Sequence, residues 1–209
     1  MKNICAVIGL CLLSYFASAQ TQIAVKGGYD LGTARVYLGN YQPSVQAVSG
    51  FGFGILFNAP FDGNLHFTPS IGFNQRGYAY GPYNDSLGVA KDKVNMSYID
   101  AAFTLSYEFP YKSNKFILSL GPVFSYALYG TETTTLNGVS STGKMDFTLF
   151  QNYCSVDISV TAKAAYQVKK MFVEAGFQLG VANIDENANT DGRNIQNRML
   201  SLSVGYYLK

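Results

Sequence analysis

Past position 20, the apolar residues of this chain fall on every second position in eight successive stretches. Period two is the period of a strand, whose side chains point alternately to opposite faces. In the first stretch Ile23, Val25, Gly27, Tyr29 and Leu31 share one face, and Ala24, Lys26, Gly28 and Asp30 share the other. In the second, Val45, Ala47, Phe51, Phe53, Ile55 and Phe57 oppose Gln46, Gly50, Gly52, Gly54 and Asn58. The third is the clearest: Leu65, Phe67, Ile71 and Phe73 alternate with His66, Thr68, Ser70, Gly72, Asn74 and Arg76. Stretches opening at Ile99, Phe116, Val156, Met171 and Leu200 repeat the pattern. Each has one face of aromatic and branched side chains, and a second face of glycine, serine, threonine and charge.

Soluble antiparallel sheets alternate too, but their solvent faces are rich in charge. Only 13% of these residues are charged, where about 25% is ordinary for soluble domains, and 15% are aromatic. The mean hydropathy is nevertheless close to neutral, as expected when every second side chain is apolar. Large apolar faces without a charged exterior fit strands that turn the apolar face to lipid and the polar face inward. Each stretch reaches the ~9–11 residues that a tilted strand needs to cross a bilayer. Strands in lipid must close on themselves, because unpaired edges are not tolerated there. The fold expected is therefore all-β: an antiparallel transmembrane β-barrel of about eight strands, occupying residues 20–209.

The connections alternate in length. Long polar segments lie at 32–44, 81–94, 130–153 and 184–198, and short ones at 59–64, 110–114 and 169–170. Outer-membrane barrels pair short periplasmic turns with long extracellular loops. Strict long-short order implies an even strand count, with both termini periplasmic.

The first nineteen residues read as a cleaved signal peptide. Lys2 supplies the positive start, residues 4–13 an uncharged apolar run, and Ala17-Ser18-Ala19 the small-x-small cleavage site. Ten apolar residues are too few to span ~30 Å of hydrocarbon as a helix. Removing this segment lowers the formal net charge from +2 to +1 and leaves Cys154 as the one cysteine. That excludes an internal disulfide or a cysteine-built metal cluster. It also leaves no basic footprint for nucleic acid. No cofactor motif is present, and 185–192 lacks the spacing and the final glutamate of a calcium loop.

The alternation places Lys26, Asp30, Arg76, Asp100, Glu108, Asp157, Lys163 and Glu174 inside the barrel. Buried charges must be paired or solvated, and an eight-stranded interior is just wide enough to be filled by side chains. A lumen network of paired charges is the plain expectation, and a narrow gate for ions is the alternative. His66, the single histidine, forms a His-x-Thr-x-Ser row with Thr68 and Ser70. That row lies just after a short turn and on the inward face, which is the wrong height and face for an enzyme acting on outer-leaflet lipid. No catalytic set is expected. Tyr29, Tyr78, Tyr80, Tyr83, Tyr98, Tyr111, Tyr129 and Tyr153 are expected in aromatic girdles at the two interfaces.

Three stretches carry a resemblance: Ile23-Ala24-Val25-Lys26-Gly27-Gly28-Tyr29, Leu118-Ser119-Leu120-Gly121-Pro122-Val123-Phe124 and Leu202-Ser203-Val204-Gly205-Tyr206-Tyr207-Leu208-Lys209. With the signal and the strand order, they resemble the outer-membrane β-barrel "porin family", or PorT-like family, of Bacteroidota-type Gram-negative bacteria. The resemblance implies an eight-stranded outer-membrane barrel and allows an accessory part in protein secretion. The chain ends in Leu208-Lys209, not in the terminal aromatic usual for barrels. The expected role is a monomeric scaffold in outer-membrane lipid that displays extracellular loops, to other envelope or secretion proteins among its partners. A narrow or gated channel is the alternative.

Overall fold

The computed structural model describes residues 21–38, 42–85, 88–145, 147, 153–185 and 193–208. The expected signal segment and the stretch 186–192 thus fall outside the described residues. The strands are β1 (Gln22–Leu38), β2 (Val45–Asp62), β3 (Leu65–Asp85), β4 (Gly88–Tyr111), β5 (Asn114–Leu136), β6 (Val139–Lys144), β7 (Val156–Val168), β8 (Met171–Gly180) and β9 (Arg193–Tyr207). Neighbours are antiparallel and follow the chain, and β1 pairs with β9 while β5 pairs with both β4 and β7. Eight strands therefore close a ring. The ninth, β6, pairs among the described residues only with the far end of β5 and stands outside the ring. Among the described residues no helix is long and apolar enough to cross a membrane.

Closure follows from the alternation. Val25, Phe53, Ile71, Phe103, Leu120, Val160, Phe177 and Leu202, one from each ring strand, are all exposed. Their chain neighbours on the other face line the interior. Contacts such as Phe53–Phe73 (centroids 5.3 Å apart) and Phe103–Phe124 (6.1 Å) make the outer surface a continuous apolar belt. Burying this belt in lipid is what makes the fold stable.

The short turns are Gly63-Asn64, Lys112-Ser113 and Lys169-Lys170, all at one end of the ring. At the other end the strands run much further than expected. Segments 81–94 and 130–153, read from sequence as loops, are largely strand: β3 reaches Asp85, β4 starts at Gly88 and β5 reaches Leu136. There β5 turns at Asn137-Gly138 into β6. Both turn residues have positive φ (49° and 84°), the two-residue reversal that Asn-Gly favours because it matches strand twist. The outer ends of β3, β4 and β5, with β6, form a small sheet standing off the barrel.

Two parts of the face assignment are corrected. Val45 belongs to the interior, packed against the buried cluster around Tyr78. The β2–β3 register slips between Ala47 and Gly52, and one extra residue in a strand reverses every face beyond it. Tyr78, Tyr98 and Tyr153 are buried inside the barrel, not in a girdle, whereas Tyr29, Tyr111 and Tyr129 are exposed. Tyr78 and Tyr98 share parity with Arg76 and Asp100, so the period that turns those charges inward turns the rings inward too.

Candidate functional site

The interior is the part of the molecule where the charges converge, and it is built in three layers. At the short-turn end Ala24, Leu56, Ile117, Ala165, Phe172 and Tyr207 form an apolar floor. Gly205 lies across the strand pair from Phe172. With no side chain of its own, it leaves room for the ring, whose atoms a Cβ there would strike. At the far end Ala34, Val36, Tyr78, Val94, Met96, Tyr98 and Ala127 from the strands close around Tyr153 and Ile184 from the long connections. Tyr153 bridges Asp185, Cys154 N–H donates to the Ile184 carbonyl (2.8 Å), and the Tyr153 and Tyr78 hydroxyls lie 3.1 Å apart.

The charges expected inside lie between or beside these two plugs. Arg76 reaches Asp100 at 2.7 Å and stacks its guanidinium 4.0 Å from the Tyr98 ring centroid. Asn74 donates to the other oxygen of Asp100 (2.8 Å). Lys26 pairs with Glu174 at 2.5 Å. Asp157 is fully buried and accepts from Asn197 at 2.9 Å, and Asn197 also reaches Tyr98 (3.2 Å). Asp30 is 1% exposed and directs a carboxylate oxygen, unbonded among the described residues, beside Gly52 and Asn74. Lys163 lines the same central cavity as Lys26, Asp30 and Asp100.

Glu108 is set apart from this group, near the short turns. It accepts from Lys115 (2.6 Å) and Asn58 (3.0 Å), with His66 Nε2 at 3.5 Å and His66 Nδ1 bonded to Asn58 (2.9 Å). The eight charges thus form two close pairs, one acid (Glu108) held by Lys115 and Asn58 near the short turns, and three members held by other contacts. They do not form a continuous row. Asn58 stood on the inward face of its stretch, whereas Lys115 and Asn197 were missed as partners. Each sits on the inward parity of its strand, so carrying the alternation to the strand ends would have found them.

The cavity between the plugs is about 50 Å³, room for one or two waters at ~30 Å³ each. A second, beneath it among Glu108, Glu174 and Tyr207, is about 20 Å³. Both are small beside the roughly 300–1,000 Å³ of ordinary ligand pockets. Among the described residues, no group of three or more histidine, cysteine or acidic side chains is arranged to hold a metal ion.

Solved structures similar to this chain include Ail, the attachment invasion locus protein of Yersinia pestis, in complex with the heparin analogue sucrose octasulfate. It has 14% identity, a TM-score of 0.43, and coverage of 90% of this chain and 99% of that one. Neisserial surface protein A has 15% identity, a TM-score of 0.46, and coverage of 88% and 96%. The outer membrane protease OmpT of Escherichia coli has 10% identity, a TM-score of 0.36, and coverage of 90% and 96%. No curated protein sequence matches. A family model described as outer membrane protein beta-barrel domain matches residues 16–186, most of the chain and all but the last strand of the ring. A closed ring with an apolar exterior, a polar core and this match make the chain a member of the outer membrane protein beta-barrel domain family, resident in the bacterial outer membrane.

Proposed function

We propose that the protein is a non-conducting scaffold, which holds a small sheet and its long connections outside the cell. The observation that supports this reading most directly is the doubly plugged interior. Two apolar layers with about 50 Å³ between them argue for a filled lumen over a conducting one. The opposite end supports it as well. Among the described residues, strand β6 lies wholly exposed beyond the ring with only one edge paired. An open edge is a template for an added strand from a partner, so the expected partners are envelope or secretion proteins that present an extended segment. In this reading the first nineteen residues are removed on export. Both termini face the periplasm, and the interior charges serve stability with no catalytic role.

Single-channel recording on the folded barrel in a planar bilayer tests the reading. A silent bilayer, with folding shown independently by heat-dependent gel migration, is the expected result. Steady protein-dependent conductance would replace the scaffold with a gated channel lined by Lys26, Asp30 and Lys163. Copurification of secretion-complex subunits that is lost when residues 137–144 are deleted would identify the kind of partner.

A further inference from the structure

A further cavity lies on the outside of the wall. It measures about 210 Å³ and is lined by Ser49, Gln75, Asn95, Ser97, Tyr129 and Thr131, with Arg76 and Met96 behind. Register places these residues in one patch. Gln75 pairs with Ser97, Ser97 with Tyr129, and Asn95 with Thr131. All are of outward parity, since Asn74, Met96 and Ala127 beside them point inward. The β2 slip and a second slip on β4–β5 between Ser97 and Tyr98 flank the patch and make room for the recess. Directly below it on the same faces come Phe51, Phe73 and Ile99, the upper edge of the apolar belt.

The polar line continues around the barrel. Ser49 follows Leu31 across the β1–β2 pair, and Thr33 of β1 pairs with Arg198 of β9. Arg198 sits one outward step above Leu200, and Arg35 one step above Thr33. Neither guanidinium is in an ion pair among the described residues. Arg35 lies 4.8 Å from the Tyr37 ring centroid. Diagonal outward neighbours on paired strands are roughly 7–8 Å apart, so the two cations can address one anionic group. Hydroxyls and amides in a recess on β2–β5, two guanidinia further round the wall on β1 and β9 that make no ion pair among the described residues, and hydrocarbon-facing side chains below describe one kind of occupant, with a headgroup wide enough to span them. It carries acyl chains, a hydroxyl-rich headgroup and phosphate.

We propose that this recess, with Arg35 and Arg198, binds the headgroup of a phosphorylated glycolipid in the outer leaflet, its acyl chains lying on the belt of β1–β4. The inference rests on the orientation given above, in which the long connections face outward. Guanidinium clamps the phosphate by charge-assisted bonds, and Gln75, Asn95 and Thr131 take sugar hydroxyls.

The test is native mass spectrometry of the detergent-solubilised full barrel with diphosphoryl lipid A, its dephosphorylated form and phosphatidylglycerol. Expected is one retained diphosphoryl lipid A, with retention about tenfold weaker for the dephosphorylated form, the loss of roughly one charge-assisted contact. The double variant Arg35→Gln/Arg198→Gln is expected to lose the same factor, and Lys170→Gln at the opposite end to lose nothing. Ser97→Leu, which fills the recess, is expected to weaken both glycolipids alike. Equal retention of all three lipids, or displacement by millimolar inorganic phosphate, overturns the proposal. So does a preference for phosphatidylglycerol. The lipid comparison uses the unaltered protein, so it stands even if a variant fails to fold. Labelling of Gly143→Cys in intact cells reads the orientation separately. A label-free Gly143→Cys removes the outward reading, whereas a labelled one with no lipid preference removes only the glycolipid.

Discussion

At the scale of single residues the two faces of the wall obey different rules, and substitution separates them. Leu202 is well exposed on β9 in the middle of the belt, while its neighbour Ser203 is buried in the lumen. Leu202→Arg is expected to cost roughly 2–4 kcal/mol, the penalty for an arginine on the lipid face near the midplane. Ser203→Ala should cost well under half of that. Urea titration in lipid vesicles compares them, and equal costs would mean that the faces are exchanged. Inside, Arg76 and Asp100 are almost fully buried against each other. Removing one partner strands a buried charge, so Arg76→Met is expected to cost about 3–5 kcal/mol, with part recovered in Arg76→Met/Asp100→Leu. No recovery in the double variant would mean that Asp157 and Tyr98, not Asp100, hold the guanidinium. Gly52 tests packing directly. A Cβ there would sit 2.7 Å from Asp30 Oδ2 and press on the Asn74 amide, whereas at Gly143 it meets nothing. Gly52→Ala is expected to cost about 1–3 kcal/mol by overpacking, and Gly143→Ala to leave the unfolding midpoint where it is.

At the scale of elements, the sequence was legible wherever the period of two ran unbroken. The belt strands β7 and β8 carry it from end to end. It failed where the strand count or face depended on backbone geometry. The slip that brings Val45 inward is a single extra residue between Ala47 and Gly52, and nothing in the composition of that stretch separates a bulge from a regular strand. The protruding sheet was hidden for a different reason. Thr131 to Lys144 contains few apolar residues, so periodicity is silent there, and hydrogen bonds and the turn make the hairpin. Its legible signal was Asn137-Gly138. Asn137 also ties the hairpin to β4: its N–H donates to the Val89 carbonyl (3.0 Å) and its side-chain oxygen accepts from Val89 N–H (3.1 Å). Gly138→Val forces a branched residue toward positive φ. It is expected to release β6 without touching the ring. Limited proteolysis should then cut within 137–144 while the heat-dependent gel shift of the barrel stays unchanged. Loss of that shift would mean that the outer sheet is needed to close the barrel.

At the scale of the whole molecule, closure is the property on which everything else depends, and it rests on the last strand. β9 pairs with β8 along one side and β1 along the other, from Ala24↔Tyr207 to Leu38↔Arg193. Leu208 N–H then donates to the Ile23 carbonyl and Tyr207 N–H to the Lys170 carbonyl, both at 2.8 Å, sealing the short-turn end. Unpaired backbone in hydrocarbon costs several kcal/mol per group, so a ring missing half of one strand has no membrane-stable form. Removing residues 201–209 takes the lower half of the β1 and β8 pairings, along with Tyr207 from the floor. It is expected to abolish the folded, heat-shifting species altogether. Deleting 137–144, a segment of similar length on the open edge outside the ring, is expected to leave that species monomeric and as stable as before. Gel mobility and sedimentation of the two deletions side by side decide the point. A folded product from the C-terminal deletion would mean that the ring can close without β9. The barrel would then owe its stability to the inner plugs, with closure contributing little.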